Sequence, residues 1–126
     1  MLGSTADMIV RSVSDVDPFV TADGSTIREL FGLPTGGVEH HSLAEATLAP
    51  GQATQRHYHR ESEEIYFVLD GEGEMELDGE WRRVGVGDAI AIPPGAWHEL
   101  RAEGDRPLRI LCSCAPPYRH EDTFFE

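Results

Sequence analysis

Apolar residues along the chain come in short runs, and Gly or Pro interrupts them about every 8 to 12 residues. Short runs bounded by turn residues predict strands, on which successive side chains face opposite sides. Residues 26–31, 43–48, 65–69, 84–92 and 108–114 read this way, and residues 8–13 add an expected first edge strand. Residues 15–23 are turn-rich, and Leu33 to Gly37 breaks the chain with one proline and two glycines. The clearest local signal is Met75 to Trp81, where Asp78-Gly79 between alternating residues suits a two-residue type I′ hairpin. No segment carries the period of a helix. The expectation is an all-β chain, either a sandwich or a jelly roll with two sheets closing around an interior.

The stretch GQATQRHYHRESEEIYFVLDG, from Gly51 to Gly71, changes the picture from architecture to chemistry. On a strand His57 and His59 share a face, with Cα atoms roughly 7 Å apart, so two imidazoles can converge on one ion. A His-x-His pair alone is equally a pair of solvated side chains on a surface strand. Further ligands are needed to close a coordination sphere, and Glu63 and Glu64 are the nearby carboxylates. Glu63 has the parity of the histidines on an unbroken strand. Arg60-Glu61-Ser62-Glu63 is a polar run with poor strand propensity, so a turn or bulge is expected to reset the alternation and make Glu64 the ligand.

A second stretch, GDAIAIPPGAWHEL from Gly87 to Leu100, sends an apolar run into a Pro-Pro-Gly turn and then to His98. Pro93 and Pro94 end the strand and Gly95 permits a reversal, which can carry His98 back towards the first pair. Three neutral imidazoles and one carboxylate would then hold one divalent transition metal: Fe, Mn, Ni, Cu or Zn, with sequence alone leaving the choice open.

Gly51, His57, His59, Glu64 and Gly71, with five, one, four and six residues between them, resemble the first motif of the cupin superfamily. Gly87, Pro93, Gly95 and His98, with five, one and two between them, resemble its second. That motif usually ends with Asn four positions after the histidine, where this chain has Ala102, a position that is not a metal ligand. The resemblance implies a jelly-roll barrel, a double-stranded β-helix, with the metal inside near one mouth. It covers residues 51–102 closely and most of the chain loosely.

The length of 126 residues fits one domain with a sizeable core. Residues 1–7 read as a frayed end, and 115–126 as a tail that packs on the barrel or on a second copy. Ten basic residues against 23 acidic ones, a net charge of −13, oppose binding to nucleic acid or to an anionic membrane. Neither a leader nor a spanning apolar run is evident, and Cys112 and Cys114, two apart on one strand, are poorly placed for a disulfide; both point to a cytoplasmic protein. Cupins of this size commonly pair through exposed strand edges, so a homodimer is expected.

Several other residues carry two readings. Tyr66 has the parity of Glu64 and either offers its hydroxyl to a substrate or packs as a core aromatic. Cys112 and Cys114 either face the cavity or are buried structural thiols. Arg28 could reach inward to a substrate carboxylate or stay at the surface. His40, His41 and His120 are expected in loops or the tail, and Trp97, Tyr118, Phe124 and Phe125 in packing.

An octahedral ion with four protein ligands keeps two positions for water, O₂ or a chelating organic substrate. A redox metal there implies a small-molecule dioxygenase; zinc implies lyase, isomerase or cyclase chemistry. A binding module without turnover is the third possibility, and the lack of a Lys/Arg cluster disfavours a sugar-phosphate substrate.

Overall fold

Alternation decides which side chains fill the interior. In the computed structural model, which describes residues 6–126, the strands in chain order are β1 (Phe19–Val20), β2 (Thr26–Phe31), β3 (Ser42–Leu48), β4 (His57–His59), β5 (Glu63–Asp70), β6 (Glu72–Leu77), β7 (Glu80–Gly85), β8 (Ala89–Ile92), β9 (His98–Glu103), β10 (Leu108–Ala115) and β11 (Thr123–Phe125). Along β5, Glu64, Tyr66 and Val68 are buried while Glu63, Ile65 and Phe67 are exposed. On β9, His98, Leu100 and Ala102 face in.

Two antiparallel sheets enclose these side chains, as expected for a jelly roll. The larger has the order β1-β2-β3-β10-β5-β8 and the smaller β11-β4-β9-β6-β7. Leu48, Val68, Ile92, Leu100 and Leu108 form the centre of the core, each no more than 2 % exposed. Burying one such side chain contributes about 1.5–3 kcal/mol, and this apolar layer is what holds the sheets together. Among the described residues no helix is long and apolar enough to cross a membrane.

The hairpin expected at Asp78-Gly79 joins β6 to β7 with Leu77 opposite Glu80. Both central residues have positive φ, 46° and 94°, as a type I′ turn requires. Gly71 is constrained twice: its φ is 82°, and a Cβ there would overlap the Pro107 carbonyl. Gly71→Ala is therefore expected to cost roughly 2–4 kcal/mol, read as a lower urea midpoint at unchanged m-value.

Three expectations are corrected. Residues 8–13 form no edge strand. Val13–Asp15 is a 3₁₀ turn, and the Arg11 guanidinium replaces the ladder by donating to the carbonyls of Leu30, Thr35 and Gly36. Residues 84–92 are not one strand either. Asp88 N–H donates to Gly85 O, and the Asp88 carboxylate accepts the Gly85 N–H, so the chain turns between β7 and β8 and changes sheet. Finally, the turn-rich segment 15–23 contains β1, which pairs with β2 through Phe19 opposite Ile27. Of the end expected to fray, residues 1–5 lie outside the described residues, and 6–7 have no regular structure. The tail packs on the barrel, where β11 pairs with β4.

Candidate metal centre

Strand β4 is only three residues long, yet three separate devices fix it. Its His57 pairs with His98 of β9. Its other edge is covered by β11, with Thr123 opposite His59. At its end the Gly95 N–H donates to His59 O at 2.7 Å, so the Pro-Pro-Gly turn is tied to the strand it was expected to approach. His98 thereby arrives beside the first pair, as the turn chemistry predicts.

The three histidines are buried, and one nitrogen from each lies within 4.8 Å of the others. Their ring centroids are 4.2 Å (His57–His98), 5.1 Å (His57–His59) and 5.6 Å (His59–His98) apart. Glu64 joins from the side of His59 and His98, its Oε1 lying 3.3 Å and 3.5 Å from their Nε2 atoms. Glu63, the alternative carboxylate, is exposed. The expected reset occurs between β4 and β5: the chain leaves one sheet and enters the other through Arg60, Glu61 and Ser62. Asp122 holds that crossing. Its carboxylate accepts the backbone N–H groups of Glu61 (2.9 Å) and Ser62 (3.0 Å), and its carbonyl accepts that of Arg60 (3.1 Å).

Outer hydrogen bonds fix the tautomers. His57 Nδ1–H donates to Gln55 O at 2.7 Å and His98 Nδ1–H to Ala96 O at 3.0 Å. His59 Nδ1 lies 3.1 Å from Thr123 Oγ1; that hydroxyl donates to Arg119 O, so it accepts from the ring. With each Nδ1 donating outward, each Nε2 is left facing inward. Burial, then the proximity of His98, lowers the pKa of His57 to about 4, which keeps that ring neutral. Glu64 Oε1 and His98 Nε2 are both buried without a hydrogen-bond partner. Acceptors facing acceptors in a dry interior are costly, and a cation is what relieves them. The three histidines could hold a metal, and the donor set fits one.

The second carboxylate oxygen, Glu64 Oε2, accepts a hydrogen bond from Cys114 Sγ at 3.2 Å. Cys112 and Tyr66 line the cavity that leads away from the centre. Both cysteines are free thiols. Burial, with the nearby Glu64 charge, pushes their pKa values far up, and does the same for the Tyr66 hydroxyl. All three therefore keep their protons at neutral pH. In the native protein neither thiol is expected to react with a thiol-exchange reagent at pH 8, whereas both react in urea; rapid labelling of the folded protein contradicts this.

Arg28 is corrected. It points to the outer face of β2 and pairs with Glu45 at 3.7 Å, because Ile27 and Glu29 take the inward positions on that strand. His40, His41 and His120 are exposed, and Trp97 packs edge-on against Tyr58, 4.7 Å between centroids. Asp23, Glu29, Asp122 and Thr123 were not singled out by sequence. Asp23 and Ser25 flank Gly24 in a turn pattern, but nothing local shows that Asp23 faces the cavity.

The comparisons agree with this geometry. A cupin domain model matches residues 44–114. An uncharacterized protein of Methanocaldococcus jannaschii is 44% identical over 119 residues, spanning 94% of this chain and 95% of that one. The polyketide synthase protein CurC of Streptomyces cyaneus is 31% identical over 107 residues, 85% of this chain and 69% of its own. Among solved structures, Pac13, described as a unique nucleoside dehydratase, from Streptomyces, superposes with a TM-score of 0.78 at 17% identity, covering 95% of this chain and 92% of that one; this likeness supports the fold alone. Motif spacing, barrel and matched model lead to one conclusion: the chain belongs to the cupin family.

Proposed function

We propose that this cupin is a metal-dependent oxygenase acting on a small organic molecule that chelates the ion through two oxygens. The observation that carries the reading is the convergence of three buried histidines with Glu64 Oε1 beside two of them, where Oε1 and His98 Nε2 have no hydrogen-bond partner. His57, His59, His98 and Glu64 would hold one divalent transition metal, leaving positions for substrate and O₂. A redox-active ion bound there would supply oxygen activation, and zinc would supply carbonyl polarisation instead. The apolar walls exclude water, and the Cys114 thiol fixes Glu64 Oε2 so that Oε1 is turned to His59 and His98.

A second reading, non-redox cyclase, lyase or isomerase chemistry, is favoured by Tyr66. Its side chain lines the cavity, and its hydroxyl, which keeps its proton, offers a hydrogen bond to a polarised substrate oxygen. The polyketide connection of the Streptomyces cyaneus relative supports the same direction.

Metal analysis of protein purified without added metal comes first. O₂ uptake is then measured with diketone, flavonol and catechol substrates after Fe(II) or Mn(II) loading. Uptake coupled to substrate loss supports the oxygenase; substrate loss without uptake supports the second reading; no conversion with any metal overturns both.

For the partner, we propose a second copy of this chain. Ile65 (47 % exposed) and Phe67 (40 % exposed) stand on the outer face of β5, next to the edge strand β8, which supports that expectation. Light scattering is expected to give a dimer mass that Phe67→Glu reduces to the monomer.

A further inference from the structure

The cavity beyond the candidate centre has a charge pattern that the metal site does not explain. Its walls are built mainly from Ala44, Ala46, Leu48, Leu108 and Ile110 and related apolar side chains. Three carboxylates also line it: Glu64 at the centre, Asp23 along the wall and Glu29 further out on β2. No Arg or Lys is among its lining residues, and its one histidine is the candidate ligand His57.

The chain has no lysine at all, and the arginines next to this wall are committed elsewhere: Arg56 to Glu76, Arg101 to Glu99 and Arg109 to Glu45. Arg28 is paired with Glu45 on the outer face. Arg11 shares an outer groove with Glu29, but its guanidinium is occupied by the carbonyls of Leu30, Thr35 and Gly36. Asp23 is not free to turn away. Its Oδ1 accepts from Thr21 Oγ1 (2.5 Å), Ser25 Oγ (2.6 Å) and Ser25 N–H (2.9 Å), and its backbone carbonyl accepts the Gln55 N–H at 2.8 Å. The carboxylate is thus anchored within its own turn, and the Asp23 backbone is tied to the segment that leads into His57.

We infer that this cavity selects an uncharged chelating molecule and rejects one that bears a carboxylate or phosphate outside its metal-facing group. The inference rests on the chelating-substrate reading and narrows its substrate class. A divalent ion with Glu64 leaves one net positive charge at the centre, already opposed by Asp23 and Glu29. An additional anion in the apolar part of the cavity meets two like charges at reduced dielectric and no cationic side chain to compensate it. A cavity built for an acid would aim a guanidinium at it.

Zinc-loaded protein, brought to one zinc per chain by elemental analysis, is titrated calorimetrically with catechol, with methyl 3,4-dihydroxybenzoate and with 3,4-dihydroxybenzoate. Each affinity is referred to that of the same diol for free zinc. The ester is expected to bind at least about tenfold more tightly than the acid, although it is the larger molecule. In Asp23→Asn/Glu29→Gln, the ratio is expected to fall to within about threefold by a gain in affinity for the acid, since both amides keep an acceptor oxygen. Equal binding of acid and ester by the parent overturns the inference and leaves the chelating reading standing. Binding of catechol alone overturns it as well, because size rather than charge then selects; an unchanged ratio in the double variant removes its cause. Binding of none of the three diols overturns the chelating reading itself.

Discussion

Glu64→Gln is expected to make the metal-free protein more stable while removing most of its response to metal. In the parent, Glu64 Oε1 and His98 Nε2 are buried without partners, and the Nδ1 bonds of the three rings leave acceptors facing acceptors. A glutamine amide turns one acceptor into a donor within reach of His59 and His98, and its carbonyl can still accept from Cys114. Satisfying buried groups in this way is worth about 1–2 kcal/mol in the metal-free state. Metal binding moves oppositely, since an uncharged amide is a poor ligand for a hard divalent ion. The affinity loss should exceed about a hundredfold, the upper end for supporting residues that touch no metal. With free metal at a thousand times its Kd the parent gains about 4 kcal/mol, and a variant weakened a hundredfold gains only about 1.4 kcal/mol. Chemical denaturation with EDTA and with saturating Zn(II) measures both limbs. A metal-free variant less stable than its parent would show that the rings carry protons on Nε2 and bind Glu64 as ion pairs, and the argument from donor set to cation would fail.

Asp122→Ala is expected to damage both stability and metal affinity from outside the site. Its carboxylate, 3 % exposed, satisfies two consecutive backbone N–H groups at the crossing from β4 to β5. Each buried N–H left without a partner costs about 1–3 kcal/mol, so a loss of roughly 2–5 kcal/mol is expected in urea titrations. The crossing also sets Glu64 against His59, so calorimetric metal affinity should fall with it. Thr123→Val separates the two effects: it removes the hydroxyl that accepts from His59 Nδ1 without touching the crossing. That variant should keep its stability to within about 1 kcal/mol and lose roughly 10–100-fold in metal affinity. Retained stability in Asp122→Ala, to within about 0.5 kcal/mol, would remove Asp122 from this role.

Much of the barrel and of the candidate centre is legible in the sequence because those parts are local. Alternation in residues 65–69 and 108–114 sets their faces, Asp78-Gly79 sets a hairpin, and Pro93-Pro94-Gly95 sets the reversal that delivers His98. The choice of Glu64 over Glu63 follows from a polar run that cannot continue a strand. What was misread depends on distant partners. Residues 8–13 have strand-like composition, but no ladder receives them and one guanidinium holds them instead. Residues 84–92 look continuous because both halves are apolar; only the sheet change at Gly85–Asp88 divides them. Arg28 has the wrong parity for the cavity, which becomes clear once Ile27 is known to face in. Asp122 and Thr123 act across 60 or more residues of sequence, and no short-range pattern signals them.

The pairing of β11 with β4 also bears on biosynthesis. His59 lacks its orienting hydroxyl until Thr123 has been made, 64 positions later, and the crossing to Glu64 is untied until Asp122 arrives. A ribosome-bound chain that has emerged only as far as His98 thus displays all four ligating side chains without the scaffold that aims them. Metal capture at full affinity is therefore expected only after β11 has docked on β4, late in synthesis.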